Sequence, residues 1–439
     1  MKTRHLPSVL TPFMLGMSLF AQPGEPVAPD IVKSTDRVSA TSRFQQHVTF
    51  LAHPSLEGRL PGEQGCAIAE SMIVTTFRNL GLLTPDGLSD FRDSFEFNQG
   101  GRFGSRAQAR LVTGHNICAA LPGSGGLAEE WVILGAHHDH IGRGSFGSRA
   151  ASGDIHEGAD DNASGTAAVL LAAELLCENF KEDSTARRSI LFVTFSGEES
   201  GLNGSRHYAN EPLVPLSETM AMINLDMIGR LVDEKVQMTG HQSGSKFDSI
   251  ITGVDADSPL KIQRGDSLSS RSDHASFYDK EIPVLFFTET VFPDEYHTPD
   301  DESTLINFRD GANAAILAAE IVRRLALAEE SMEFTPIEGM NDSNDGPSFS
   351  DIKIRFGIKP GNYGDIEPGI LVSGVSEGTS AEDGGVMTGD IMVKWNGTAI
   401  EDVRSWMGMM AEHEPGDIVN VTVIRGEDQI VLPIMLKSK

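Results

Sequence analysis

Apolar runs of strand length punctuate the first two thirds of the chain. Trp131-Val-Ile-Leu-Gly-Ala136, Ser189-Ile-Leu-Phe-Val-Thr-Phe195, Met222-Ile-Asn-Leu225 and Pro283-Val-Leu-Phe-Phe-Thr288 are close to continuous rather than alternating. Runs of this kind fit strands buried on both faces of a sheet, which is the situation in a central, mostly parallel one. Between the first two, Ser164 to Asn179 is rich in Ala and Leu at helical spacing. Strands and helices in turn predict an α/β domain: a mixed, mostly parallel sheet flanked by helices on both faces. Toward the C-terminus the pattern changes. Val419-Asn-Val-Thr-Val-Ile-Arg425 alternates, and Asn396-Gly397 is a hairpin signal, so a small β-rich domain is expected there.

The segments between these patterns divide the chain. Residues 1–21 read as a signal peptide: Lys2, Arg4 and His5 precede a largely apolar stretch from Leu6 to Ala21. This predicts a secreted or periplasmic protein with no stable membrane insertion after signal removal. Residues 22–40 lack a period and are expected to be a flexible tail. A catalytic domain is placed at 41–330. The polar stretch Gly339-Met-Asn-Asp-Ser-Asn-Asp-Gly346 places a linker at 331–346, leaving 347–439 for the small domain.

Composition narrows the function. The hydrophobic fraction of 39% and charged fraction of 22% are those of a soluble globular protein, but the net charge is −28. So acidic a chain does not bind nucleic acid through a general basic surface, and docking on anionic lipid is disfavoured. Cys66, Cys118 and Cys177 show no metal-type spacing, and their odd number allows at most one internal disulfide. Buried, inert thiols are expected.

Acids and histidines collect at the ends of the expected strands. His137 and Asp139 follow the first, Glu198 and Glu199 the second, and Asp226 ends the third. Asp161 opens the helix after the first strand, and Tyr296-His297 lies beyond the fourth. Ligand sites of open α/β sheets form at the carboxyl ends of strands, so distant segments converge there. His137, Asp161, Glu199, Asp226 and His297 provide two imidazoles and three carboxylates. That count suits two zinc ions sharing one bridging carboxylate, with room for an activated water. Glu198 is then free to take that water's proton.

Seven stretches carry a family resemblance. They are Leu56-Glu-Gly-Arg-Leu-Pro-Gly62, Gly135-Ala-His-His-Asp-His-Ile-Gly142, Gly158-Ala-Asp-Asp-Asn-Ala-Ser-Gly165, Ser196-Gly-Glu-Glu-Ser-Gly201, Asn224-Leu-Asp-Met-Ile-Gly229, Arg271-Ser-Asp-His274 and Tyr296-His297. Together they resemble the dinuclear zinc aminopeptidases of peptidase clan MH, the bacterial leucyl-aminopeptidase type. The resemblance implies two zinc ions per chain and peptides with a free N-terminus as substrate. It implies that Asp161 bridges the metals, with a cis bond to Asn162. His137 and Asp226 would hold one ion, Glu199 and His297 the other. Glu198 would be general base, Asp139 would orient His137, Tyr296 would donate to the developing oxyanion, and Arg271 would contact substrate. Asp160 is expected to cap or brace rather than ligate, and His138, His140 and His156 to be loop or bracing residues. A glutaminyl cyclase or carboxypeptidase on the same fold, and a catalytically silent peptide-binding protein, are the alternatives.

Arg355-Phe-Gly-Ile358, Gly369-Ile-Leu-Val-Ser-Gly-Val375 and Gly389-Asp-Ile-Met-Val-Lys-Trp-Asn-Gly397 resemble a PDZ domain of the bacterial protease type. That implies a peptide- or protein-binding groove with Phe356, Gly357 and Ile358 at its carboxylate-binding loop. A packing or oligomerisation role is the alternative.

Overall fold

The computed structural model describes residues 29–99, 110–144, 146–150, 153–337, 352–360, 369–376, 378–400, 403–426 and 428–438. The signal-peptide reading falls outside these residues. The larger domain is built on an eight-stranded sheet of order β1-β2-β4-β3-β5-β8-β6-β7. Its strands are β1 (Arg92–Gln99), β2 (Arg110–Leu121), β3 (Trp131–His137), β4 (Ser189–Phe195), β5 (Thr219–Leu225), β6 (Lys235–Thr239), β7 (Lys261–Arg264) and β8 (Val284–Thr288). The central pairs β4/β3, β3/β5 and β5/β8 are parallel, while β1/β2, β2/β4 and β6/β8 are antiparallel. The sheet is thus mixed and mostly parallel at its centre.

The continuous apolar runs are explained by two cores, one on each face. In β4, Ile190 and Phe192 point into one, and Leu191, Val193 and Phe195 into the other. The first core is closed by α2 (Arg37–Leu51), α3 (Gln64–Asn79), α4 (Gly165–Phe180), α6 (Phe247–Asp255) and α8 (Phe308–Leu327). The second is closed by α5 (Asn203–Asn210) and α7 (His274–Tyr278), through Tyr208 and Phe277. Truncating a fully buried ring such as Phe192 to Ala would cost about 3–5 kcal/mol. Gly165 lets α4 press onto the sheet: a Cβ there would lie 2.2 Å from the Leu225 carbonyl oxygen. Both features fix the strand ends relative to the first turn of α4.

The chain before α2 is not a tail throughout. Ile31–Ser34 forms a short helix, α1, with Ile31 and Val32 buried. The Ile31 N–H donates to the buried Glu320 carboxylate at 2.9 Å, and Asp36 caps α2 through the N–H groups of Val38 and Ser39. Two adjacent apolar residues beside a cap suffice to anchor a segment too short to show periodicity. The linker reading is corrected in the same way. Met332 is buried in the first core, Phe334 pairs with Gly244, and the Ile337 N–H donates to the Tyr278 hydroxyl. Residues 332–337 therefore pack on the larger domain.

The C-terminal domain has its own core and sheet, of order β14-β13-β11-β10-β9 with β12 on β11. Its strands are β9 (Ile358–Pro360), β10 (Ile370–Val375), β11 (Ile391–Trp395), β12 (Thr398–Ala399), β13 (Ile418–Arg425) and β14 (Asp428–Met435), with helices α9 (Ser380–Asp383) and α10 (Val403–Ala411). All of its pairings are antiparallel. Phe356 is not at the surface of a binding loop. Its ring packs edge-on against Trp395 and Trp406, at 5.2 and 5.3 Å between centroids. Gly357, at φ +94°, is held so tightly that a Cβ would lie 2.2 Å from that of Thr379. Ile358 begins β9, the last strand on its side of the sheet.

Candidate metal centre

The strand ends meet at one cluster. Asp161 lies between two imidazoles, with Oδ1 3.2 Å from His137 Nε2 and Oδ2 3.0 Å from His297 Nε2. Asp226 Oδ1 is 3.4 Å from the same His137 nitrogen, and Glu199 Oε2 is 2.9 Å from the His297 nitrogen. Two groups of donors therefore share Asp161: His137 with Asp226, and His297 with Glu199 and His140. Glu198 stands beside the first, its Oε2 4.0 Å from His137 Nε2. All five residues predicted as metal ligands converge, and Glu198 lies next to them.

Local folding explains the aim of each side chain. His137 ends β3, and its carbonyl accepts from the Thr166 hydroxyl of α4 at 2.7 Å. The peptide bond between Asp161 and Asn162 is cis. Asp301 accepts from the N–H groups of Asp160 and Asp161, pinning the turn from the opposite side. Asp160 Oδ1 accepts from Gly229 N–H and the Ser164 hydroxyl, so it braces this turn as expected. Arg59 from the Leu56–Gly62 stretch is wholly buried. Its guanidinium donates to the carbonyls of Leu51, His138, Glu157 and Gly158, tying β3's exit to the Asp161 turn.

The remaining predicted residues are placed as follows. Asp139 Oδ1 accepts from the Glu198 N–H at 3.2 Å and lies 3.8 Å from His137 Nδ1, whose nearer partner, at 3.2 Å, is the Asp139 carbonyl oxygen. Both the backbone and the side chain of Asp139 thus face His137. Tyr296 stacks on His297 at 3.8 Å between centroids. Arg271 is half-buried immediately before Ser272 and α7.

Three further contacts complete the cluster. His140 Nδ1 is 2.6 Å from Glu199 Oε1, so of its two expected roles, loop or brace, it takes the second. The Ser272 hydroxyl donates to Asp226 Oδ2 at 2.6 Å and accepts from the Asn224 side-chain amide at 2.7 Å. His297 Nδ1 donates to the Gly147 carbonyl at 2.9 Å, which turns Nε2 toward Asp161 and Glu199. His140 and Gly147 follow a strand on turns, where no periodicity assigns direction.

The electrostatics are those of a site built for cations. Burial pushes the Glu198 carboxyl well above its ordinary range; His137 opposes the shift, and Glu199, Asp273 and Asp226 add to it. Burial likewise raises Asp226. For Asp161, burial is outweighed by the imidazoles of His137 and His297 on either side, and its pKa falls well below the ordinary value. Burial also raises the Tyr296 phenol, with the neighbouring carboxylates adding to the effect. Asp226 Oδ1 and His297 Nε2 are buried without a hydrogen-bond partner among the described residues. Such atoms cost about 1–3 kcal/mol each if unmet. Imidazole and carboxylate donors with open valences fit divalent metal ions.

Comparison with known proteins agrees with this architecture. Residues 116–322 match the model of peptidase family M28, and residues 346–436 match the PDZ domain. A probable leucine aminopeptidase of Arthroderma otae is 29% identical over 223 residues, covering 48% of this chain and 57% of that protein. A glutaminyl-peptide cyclotransferase of Drosophila melanogaster is 25% identical over 244 residues, covering 48% of this chain and 64% of that protein. The chain thus spans less than two thirds of the length of these relatives. Among solved structures, a zinc aminopeptidase from Bacillus subtilis superposes with a TM-score of 0.51 at 16% identity, covering 66% of this chain and 96% of that one. A glutaminyl cyclase from Porphyromonas gingivalis gives 0.50 at 20% identity, covering 65% and 96%. By its sequence matches, its fold and the order of its domains, the chain carries a peptidase family M28 domain followed by a PDZ domain.

Proposed function

We propose that this protein is an exported zinc aminopeptidase that removes N-terminal residues from peptides. The observation that carries the reading is the pair of donor groups sharing Asp161, with Glu198 beside them. His137 and Asp226 would hold one zinc ion, and His297 and Glu199 the other, with Asp161 between. When bound, zinc supplies Lewis-acid polarisation of the scissile carbonyl and activates water for attack.

The chain's own groups do the rest. Glu198, held ionised once cations offset its carboxylate neighbours, takes the proton of the attacking water and delivers it to the leaving amine. Asp139 keeps His137 oriented. His140 and Ser272 each hold one oxygen of a ligand carboxylate, leaving the other for metal. The Tyr296 phenol, kept protonated by burial, donates to the carbonyl oxygen as negative charge develops on it. Arg271 would contact the substrate beyond the scissile bond. In the PDZ domain, β9 is the outermost strand on its side of the sheet among the described residues, which supports addition of a peptide strand there.

A panel of aminoacyl substrates tests the reading. Free N-termini should be cleaved and N-blocked ones spared. Cleavage of blocked peptides would refute an aminopeptidase. Cyclisation of an N-terminal glutaminyl peptide with one zinc per chain would establish the cyclase reading that the fly and Porphyromonas similarities raise.

A further inference from the structure

His138 faces away from the paired centre, toward α3. There it meets Cys66 and Glu70, which are four residues apart and so share one face of that helix. Glu70 Oε1 lies 3.8 Å from Cys66 Sγ and 4.0 Å from His138 Nε2. All three side chains are buried. His138 Nδ1 meets the Thr194 hydroxyl at 3.1 Å, but Nε2, aimed at the other two groups, has no hydrogen-bond partner. We propose that Cys66, Glu70 and His138 form a further, mononuclear site for zinc or another thiophilic divalent ion, separate from the paired centre.

The geometry and the donor types agree. Thiolate, imidazole and carboxylate are the donors zinc takes, and tetrahedral bonds of its usual length set ligand atoms about 3.3–3.8 Å apart. The Glu70 carboxylate is 3.8 Å from the thiol and 4.0 Å from the imidazole, and all three donor atoms lie within 4.8 Å of one another, so a small contraction would bring them to an ion. An ion would satisfy the orphaned His138 nitrogen, which the thiol and carboxyl are too distant to do. Arg92 Nε lies 3.5 Å from Glu70 Oε2, so it occupies one oxygen, and Oε1 is left facing His138 and the Cys66 thiol that donates to it. The Arg59 guanidinium is spent on backbone carbonyls. Burial holds the Cys66 thiol well above its ordinary range, with Glu70 and Asp139 adding to the shift and Arg59 opposing it, so an incoming cation would displace the thiol proton. Thiolate and carboxylate together neutralise a divalent ion. Water completes the fourth position. The site ties α3 to the residue after His137, so its role is to stiffen the backbone behind the paired centre.

Cobalt distinguishes this site from the paired one, whose donors are only nitrogen and oxygen. The full-length protein, stripped with a chelator, is titrated with Co2+ and followed in the near ultraviolet, where a thiolate–cobalt charge-transfer band appears. We expect the band to reach the amplitude of one thiolate-bound cobalt among the three ions taken up per chain. Cys66→Ser should abolish it while the ions at the paired centre and peptide hydrolysis persist. Glu70→Gln should weaken the titration at least tenfold, and serves if Cys66→Ser does not fold. No band at saturating cobalt, or a band that survives Cys66→Ser, would overturn the proposal.

Discussion

Two buried aspartates show how differently the two domains treat negative charge. In the PDZ domain, Asp390 is fully buried, and the chain answers it completely. Arg425 donates to both oxygens at 2.7 Å, and the Met387 N–H donates to Oδ2 at 2.9 Å. In the M28 domain, Asp226 is also buried, yet only Oδ2 has a donor, the Ser272 hydroxyl, and Oδ1 faces His137 and the cluster. A buried carboxylate with both oxygens met by its own chain is part of the scaffold. One with an oxygen left open among other donors awaits a cation from solution.

The comparison breaks most visibly at Glu198. Glu198→Ala should lower kcat by about 10²–10⁴-fold while leaving the zinc content unchanged, measured by steady-state kinetics and elemental analysis of the same sample. Loss of zinc in step with activity would move Glu198 from base to ligand. Ser272→Ala comes next. Freed from its hydroxyl donor, Asp226 should hold its ion about 10–100-fold more weakly, read by competition with a chromophoric chelator. Unchanged affinity would make the Ser272 bond merely local.

The smallest effect belongs to Asp390. Burial alone would raise its pKa, but Arg425 and the Met387 N–H outweigh it, so the folded value lies below the ordinary 3.8. The bond's stabilisation is therefore present above pH 3.8 and is lost as pH falls through the lower folded value. Asp390→Asn should cost about 1–2 kcal/mol near neutral pH, discounted because Arg425 is partly exposed, and the difference from the parent should shrink toward acid. Urea unfolding at several pH values measures this. A pH-independent difference would make the pair a packing contact.

Much of this was legible in the sequence where chemistry repeats in a recognisable frame. The apolar runs located β3, β4, β5 and β8, because residues such as Ile190 and Leu191 serve opposite cores from adjacent positions. His137, Glu199 and Asp226 were legible at or just after strand ends, and Asp161 and His297 through the motifs around them. Contacts that bracing residues make across turns were not. His140 reaches Glu199 only because the chain reverses after β3, and Ser272 reaches Asp226 from a segment 46 residues away. The direction of the Phe356 ring was not legible for a related reason. A motif marks the loop's position, but the direction of the ring is decided by Trp395 and Trp406, which lie far along the chain.

The central claim is that Asp161 stands between two metal ions. Anomalous-difference density collected from crystals at the zinc edge tests it most directly. The account predicts two peaks about 3.5–4 Å apart, one on the His137–Asp226 side of Asp161 and one on the His297–Glu199 side. A single peak, or two peaks that do not share Asp161, would contradict it.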